Sequence, residues 1–232
     1  MDVPLHDDLT GQVALVTGAT RGIGEAIASG LVAEGATVYA GARDPTDITA
    51  PEQRPLELDV TDDATMHSAI DRIDDEADGL DILVNNAGVM DSREPLAQMP
   101  TDVIDTTLAT NLRGPIVLTK AALPLLTATP GGRVVNVSSG LGAITEQQSG
   151  DMPAYRLSKT GLNGLTRYLD GEYGGAGLLA NSVCPGYVQT DMTNGSAPRT
   201  PQQGAETPIW LARFEADAPT GRFWRDKQQL DW

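Results

Sequence analysis

Apolar residues along this chain follow two alternating rhythms. Short runs of β-branched and aliphatic residues occupy 12–17 (QVALVT), 37–42, 56–59, 81–85 (DILVN), 133–138 (RVVNVS) and 179–183. Each is short and nearly continuous, and all but the last are closed by a polar residue or glycine, which predicts buried strands. Between them the apolar positions recur at helical spacing. Ile23, Ile27 and Leu31 mark a helix over 22–34 that stops at Gly35, and Met66, Ile70 and Ile73 mark one over 62–75. Longer helices are expected at 101–126, with Pro124 thinning its end, and at 153–172. A last edge strand is expected at 221–225. Residues 1–8 are expected to be mobile, and the small, polar, proline-bearing stretch 193–207 to be a loop at the mouth of a site.

Strand and helix alternate without a linker, repeat or low-complexity segment. That order predicts α/β architecture: one domain over 1–232, with a doubly wound parallel sheet covered by helices on both faces.

Charge narrows the partners. The 232 residues carry 32 acids against 16 bases, a net charge of -16, and only three bases are lysines: Lys120, Lys159 and Lys227. Such a surface repels nucleic-acid phosphate and anionic membrane. Acidity with few lysines is expected of a cytoplasmic protein from a salt-loving organism, where dense salt screens the self-repulsion. No run of 18 or more apolar residues is present, and the first residues lack a signal pattern. Cys184 is the single cysteine, so neither an internal disulfide nor a cysteine zinc cluster is expected; His6 and His67 lie in unrelated segments. Metal or histidine catalysis is not expected.

The chemistry must come from elsewhere. The first strand runs into TGATRGIG, where Gly18, Gly22 and Gly24 permit a tight turn and close approach of a dinucleotide pyrophosphate to a helix N-terminus. Tyr155 and Lys159 stand four apart in AYRLSK, on one helix face. An ammonium beside a phenol is expected to lower its pKa from about 10 toward neutrality and make it an acid/base catalyst.

Seven motifs in order make the chain resemble a short-chain dehydrogenase/reductase: TGATRGIG, LDV at 58–60, NNAG at 85–88, the asparagine of TNLRGP, VNVSS at 135–139, YRLSK and PGYVQT at 185–190. The tail is similar to that of the family's carbonyl reductases. The resemblance implies a Rossmann-type fold and a catalytic set of Asn111, Ser139, Tyr155 and Lys159. It implies that Gly18, Thr20, Arg21, Gly22, Ile23 and Gly24 hold the pyrophosphate side of a cofactor. Asp59 and Val60 would meet the adenine, with Asn86, Ala87 and Gly88 beneath its ribose. Pro185, Gly186, Val188 and Thr190 would hold the nicotinamide carboxamide, and Tyr155 and Lys159 would also touch the cofactor. Asn111 would distort its helix and hold a water that links Lys159 to solvent.

At the end of the second strand, where an acid would bind a ribose 2′-hydroxyl, stands Ala42, with Arg43 next. Arg43 and Arg21 suit a 2′-phosphate instead, so NADP(H) is expected over NAD(H), although Asp44 works against it. Met90, Leu141, Met152, Tyr187 and Met192 are the expected substrate lining. A homodimer or homotetramer acting on a small carbonyl or alcohol is expected. The alternatives are an NAD-dependent alcohol or sugar dehydrogenase and a non-catalytic dinucleotide-binding regulator.

Overall fold

The computed structural model describes residues 3–77, 79–90, 92–145 and 150–232. Met1 and Asp2, assigned above to a mobile start, lie outside these residues, as do 146–149 in the stretch between Ser139 and Tyr155.

The strands are β1 (Val13–Thr17), β2 (Thr37–Ala42), β3 (Arg54–Glu57), β4 (Ile82–Asn85), β5 (Arg133–Val137), β6 (Leu179–Val183), β7 (Arg222–Arg225) and β8 (Gln228–Leu230). They form one sheet in the order β3-β2-β1-β4-β5-β6-β7-β8. All neighbours are parallel except the last pair, β7 with β8. The helices are α1 (Gly22–Ala33), α2 (Asp63–Glu76), α3 (Thr101–Leu108), α4 (Gly114–Leu126), α5 (Pro153–Tyr173) and α6 (Pro201–Ala212).

The pleat sorts each strand's apolar residues to two faces. Val16, Val38, Ala40, Val84 and Val135 pack with Ile27 and Leu31 of α1 and Leu211 of α6. Leu15, Tyr39, Leu83 and Val134 pack with Met66, Ile70 and Ile73 of α2, Leu118 of α4 and Leu169 of α5. Both faces are therefore covered, which is why these strands read as continuous apolar runs. The chain leaves β1 toward β2 and later returns on its other side as β4. That reversal opens a crevice at the carboxyl ends of the strands, where α/β sheets bind ligands.

Five expectations change. Residues 3–8 are docked: Leu5 bridges Phe214, the His6 N–H donates to the Arg213 carbonyl, and Arg213 donates back to the His6 and Asp7 carbonyls. The third strand lies two residues earlier than expected, because an edge strand tolerates Pro55. The continuous helix over 101–126 is interrupted by a π turn at Ala109–Arg113, the local distortion expected at Asn111. The loop over 193–207 ends at Thr200, which caps α6 in a capping box with Gln203, with Pro201 in the first turn. Finally, β7 is not the edge. A two-residue turn, Asp226 and Lys227, both at positive φ (51 and 59), folds β8 back against it.

Candidate active site

The crevice is built from the turn after β1. Gly18 and Gly22 take φ of +64 and +59, a left-handed conformation that favours glycine. Gly24 has no room for a side chain: a β-carbon there would collide with the Gly18 carbonyl and the Asn86 amide. Thr17 ties this turn to the end of β4, its Oγ1 accepting from the backbone N–H of both Asn86 and Ala87 at 2.9 Å. Asn86 returns the contact, its Nδ2 donating to the Thr17 carbonyl at 2.8 Å. Thr17 and these bonds were not foreseen, although Thr17 opens the glycine motif. Arg21 precedes α1 in extended conformation and gives it no side-chain cap. The first N–H groups of α1 are thus left for an outside acceptor, at a turn with no side chain on Gly18, Gly22 or Gly24. These features fit a dinucleotide pyrophosphate.

Thr20 and Ile23 are partly exposed on the same turn. Arg43 is exposed immediately past β2, whose Gly41 carbonyl accepts from the Ala19 N–H at 3.1 Å. Arg21 and Arg43 therefore stand at the ends of neighbouring strands. Arg21 pairs with Asp191 at 3.1 Å, with both side chains largely exposed, so the pair is weak and exchangeable. The Asp44 carboxylate is turned to the Thr46 hydroxyl and N–H, which hold its pKa below the ordinary value. It is thereby engaged away from Arg43. Asp59 accepts from the Thr61 N–H and hydroxyl at 2.8 and 2.7 Å, while the cap of α2 is Asp62. Val60 is buried behind it, its carbonyl close to Gly114.

The catalytic candidates converge beyond β4 and β5. Asn111 is fully buried in the π turn. Its amide clamps one residue, donating to the Val89 carbonyl and accepting from the Val89 N–H, both at 2.8 Å. Its Nδ2 also donates to Ser158 Oγ at 3.1 Å. The side chain is thus spent on shaping the 86–90 segment, and any bond to water falls to its backbone. The π turn supplies the extra residue that turns Asn111 inward, an irregularity frequent at functional sites. Ser139 accepts from the Leu141 N–H at 3.1 Å, and its hydroxyl lies near enough to the Tyr155 hydroxyl to oppose the rise of the phenol's pKa. Lys159 is buried, donates to the Val137 carbonyl at 2.8 Å, and has Nζ 5.7 Å from the Tyr155 ring centre. A β-carbon on Gly88 would lie 3.5 Å from that Nζ, so the lysine faces the 86–88 floor.

One sequence expectation is reversed in the cofactor-free site. Tyr155 is not lowered by its lysine. Burial pushes the phenol up to about 12, opposed by the Ser139 hydrogen bond and reinforced by the nearby Cys184. The physical reason is that Lys159, drawn down to about 8, has lost its charge before the buried phenol ionises. Lys159 itself is drawn down to about 8 by burial, against the opposing effect of Cys184. Below pH 8 the lysine is charged in both folded and unfolded chains, and the full cost of burying that charge applies. As pH rises from about 8 to about 10.5, the unfolded chain holds more protons and folding stability increases. Lys159→Met is therefore expected to stabilise the cofactor-free chain at pH 7 by up to about 3 kcal/mol, with the gain gone above pH 10.5. Urea unfolding at the two pH values reads this directly.

The segment after β6 closes the crevice. Thr190 Cγ2 would lie 3.3 Å from a β-carbon on Gly22, so the 185–190 segment meets the glycine turn across the ends of β4 and β5. Pro185 and Gly186 are partly exposed there, and Val188 is buried against Gly204 of α6. Of the expected lining, Tyr187 and Met192 are exposed, Met90 is partly exposed, and Met152 is buried at the start of α5. Leu141 lines an apolar hollow of about 630 Å³ with Leu96, Ile144, Leu157 and Thr160.

A family model described as short chain dehydrogenase matches residues 12–200. The chain belongs to the short-chain dehydrogenase family. This short-chain dehydrogenase is 37% identical over 190 residues to the 3-oxoacyl-[acyl-carrier-protein] reductase FabG of Salmonella typhimurium, which covers 79% of this chain and 76% of that one. Its fold superposes on the carbonyl reductase Sniffer of D. melanogaster with a TM-score of 0.87 at 26% identity, covering 96% of this chain and 100% of that chain. It superposes on a short chain dehydrogenase from Burkholderia cenocepacia in complex with NADP with a TM-score of 0.83 at 32% identity, covering 94% and 96%. The short-chain dehydrogenase is thus an oxidoreductase built for a nicotinamide dinucleotide. No helix among the described residues is long and apolar enough to cross a membrane.

Proposed function

We propose that this chain is an NADP(H)-dependent oxidoreductase that converts a ketone or aldehyde to an alcohol, or the reverse, with Tyr155 as proton donor or acceptor. The observation that carries this reading is the convergence of Tyr155, Ser139 and buried Lys159 on one site, with Lys159 Nζ 5.7 Å from the Tyr155 ring centre. When bound, the nicotinamide supplies or takes up the hydride. Tyr155, protonated at neutral pH, holds the proton that an alkoxide oxygen needs in the reducing direction. Ser139 stabilises the same oxygen by hydrogen bonding where charge develops. Lys159 would bind cofactor ribose hydroxyls. Asn111 holds the floor through Val89.

The relatives named as 3-oxoacyl and carbonyl reductases support a carbonyl substrate. Arg43 supports NADP(H): it is exposed at the end of β2 and has no ion pair among the described residues. Exposed Ile116, Leu157 and Tyr168 on α4 and α5 support a homodimer or homotetramer. The charge of -16 supports the cytoplasm of a salt-adapted cell.

The test is a panel of aldehydes and ketones in concentrated salt, with NADPH and NADH compared. NADPH oxidation with a clear kcat/KM preference over NADH is expected. Arg43→Asp should lower the NADPH/NADH preference by roughly 10- to 100-fold, the worth of a charge-assisted phosphate contact. No turnover anywhere in the panel would sink the proposal, and an unchanged preference in Arg43→Asp would remove the role of Arg43.

A further inference from the structure

We propose that Arg199 is a positioning residue for the nicotinamide end of the cofactor, locking the 185–190 segment to the turn between β7 and β8. This rests on the reading that Pro185, Gly186, Val188 and Thr190 hold the nicotinamide carboxamide. Arg199 lies outside the glycine, NNAG and YRLSK motifs, yet it touches most of that segment. Its backbone brackets the segment: the Gln189 N–H donates to the Arg199 carbonyl at 2.8 Å, and the Arg199 N–H to the Tyr187 carbonyl at 3.3 Å. Between these bonds, Val188 and Arg199 form an isolated parallel bridge.

The side chain then runs over Gly186. That residue has φ +83, and a β-carbon on it would lie 2.9 Å from Arg199 Cδ and Nη1. The arginine stem therefore occupies the space that the missing side chain leaves. Its guanidinium has two further partners, Asp226 Oδ1 at 2.6 Å and the Gln203 carbonyl at 3.1 Å. Asp226 sits in the positive-φ turn that follows β7. β7 is paired with β6, and the Cys184 N–H donates to the Trp224 carbonyl at 2.8 Å.

The contacts close a ring: β6, Cys184, Pro185, Gly186, Arg199, Asp226, β7 and back to β6. As a lone ion pair, a quarter-exposed arginine with a half-exposed aspartate would contribute little to stability. Its effect is geometric. It fixes a segment with positive-φ backbone, and supporting contacts of this kind hold a site within the narrow tolerance that ligand binding requires.

The experiment uses the full chain and NADPH as the probe. The variants are Arg199→Leu, Arg199→Lys, Asp226→Asn, the Arg199→Leu/Asp226→Asn double, and Thr190→Val as a direct change within the segment. The readouts are the NADPH dissociation constant by fluorescence titration, KM for NADPH and for the carbonyl substrate separately, and thermal midpoint. Arg199→Leu is expected to raise the NADPH dissociation constant and KM about tenfold, in the range for supporting contacts behind a binding site. The carbonyl KM should stay unchanged. Arg199→Lys should recover most of the loss, Asp226→Asn should shift it the same way, and the double should be no worse than Arg199→Leu. A folded Arg199→Leu protein with parental NADPH binding overturns the proposal. If Thr190→Val weakens NADPH at the same time, the nicotinamide placement stands without the clamp; if neither variant matters, the placement falls too. An equal rise in both KM values without rescue by lysine also overturns it, marking a general structural role. Should Arg199→Leu not fold, Asp226→Asn decides: parental NADPH binding overturns, and a selective rise in NADPH KM supports.

Discussion

Tyr155→Phe is expected to lower kcat for carbonyl reduction about 10³-fold while leaving the NADPH dissociation constant within about threefold of the parent protein. The substitution keeps the ring and its packing and deletes only the hydroxyl that lies near Ser139. A loss of 10³ corresponds to about 4 kcal/mol of barrier, within the range for a positioned general acid. Adding Ser139→Ala should cost far less than its separate effect predicts, because the two hydroxyls act on one oxygen as a unit. Steady-state kinetics beside a cofactor titration separates the two quantities. Full activity in Tyr155→Phe would remove Tyr155 from the proton-transfer role.

Gly24→Val is expected to abolish measurable cofactor binding, a loss of at least about 100-fold, through the turn rather than through any lost contact. The new β-carbon meets the Gly18 carbonyl and the Asn86 amide. A flexible side-chain tip could move aside, but a backbone carbonyl moves only with its turn. Asn86 is itself bonded to the Thr17 and Gly18 carbonyls, so displacing it loosens the end of β4 as well. Titration with NADPH against circular dichroism distinguishes a spoiled turn from an unfolded chain. Parental affinity in a folded variant would show that the pyrophosphate does not lie on this turn.

How far the sequence reveals this molecule depends on where its signals are physical. β2 and β6 were bounded correctly because both are buried on two faces, with Arg43 directly after β2 and Pro185 soon after β6. The third strand slid because Leu56 and Leu58 are the apolar pair, while the ladder uses Arg54 and Pro55 on an edge. α6 was hidden by its polar first turn and by Pro208, although Thr200, Pro201 and Gln203 spell a helix start. β8 was hidden because Gln228 and Gln229 have no apolar alternation, and an Asp-Lys turn is a weak hairpin signal. In the site, the spacing of Tyr155 and Lys159 identified the pair but not the direction of the phenol's shift. Spacing carries no record of burial or of the Val137 carbonyl that engages the lysine. Arg199 and Asp226 are 27 positions apart, and only the sheet order brings them together.

The bonds between Thr17 and the end of β4 have a consequence for biosynthesis. The glycine turn is fixed by Asn86 and Ala87, 69 and 70 residues further along. During synthesis α1 and β2 can fold back on β1, but the neighbouring position on the other side of β1 stays empty until β4 emerges. At roughly 5–20 residues per second, that gap lasts roughly 3–14 s, with one flank of an apolar parallel strand open to the wrong partner. The cofactor crevice is therefore completed only after the fourth strand arrives, and NADPH supplied to a nascent chain shorter than that has nothing to stabilise.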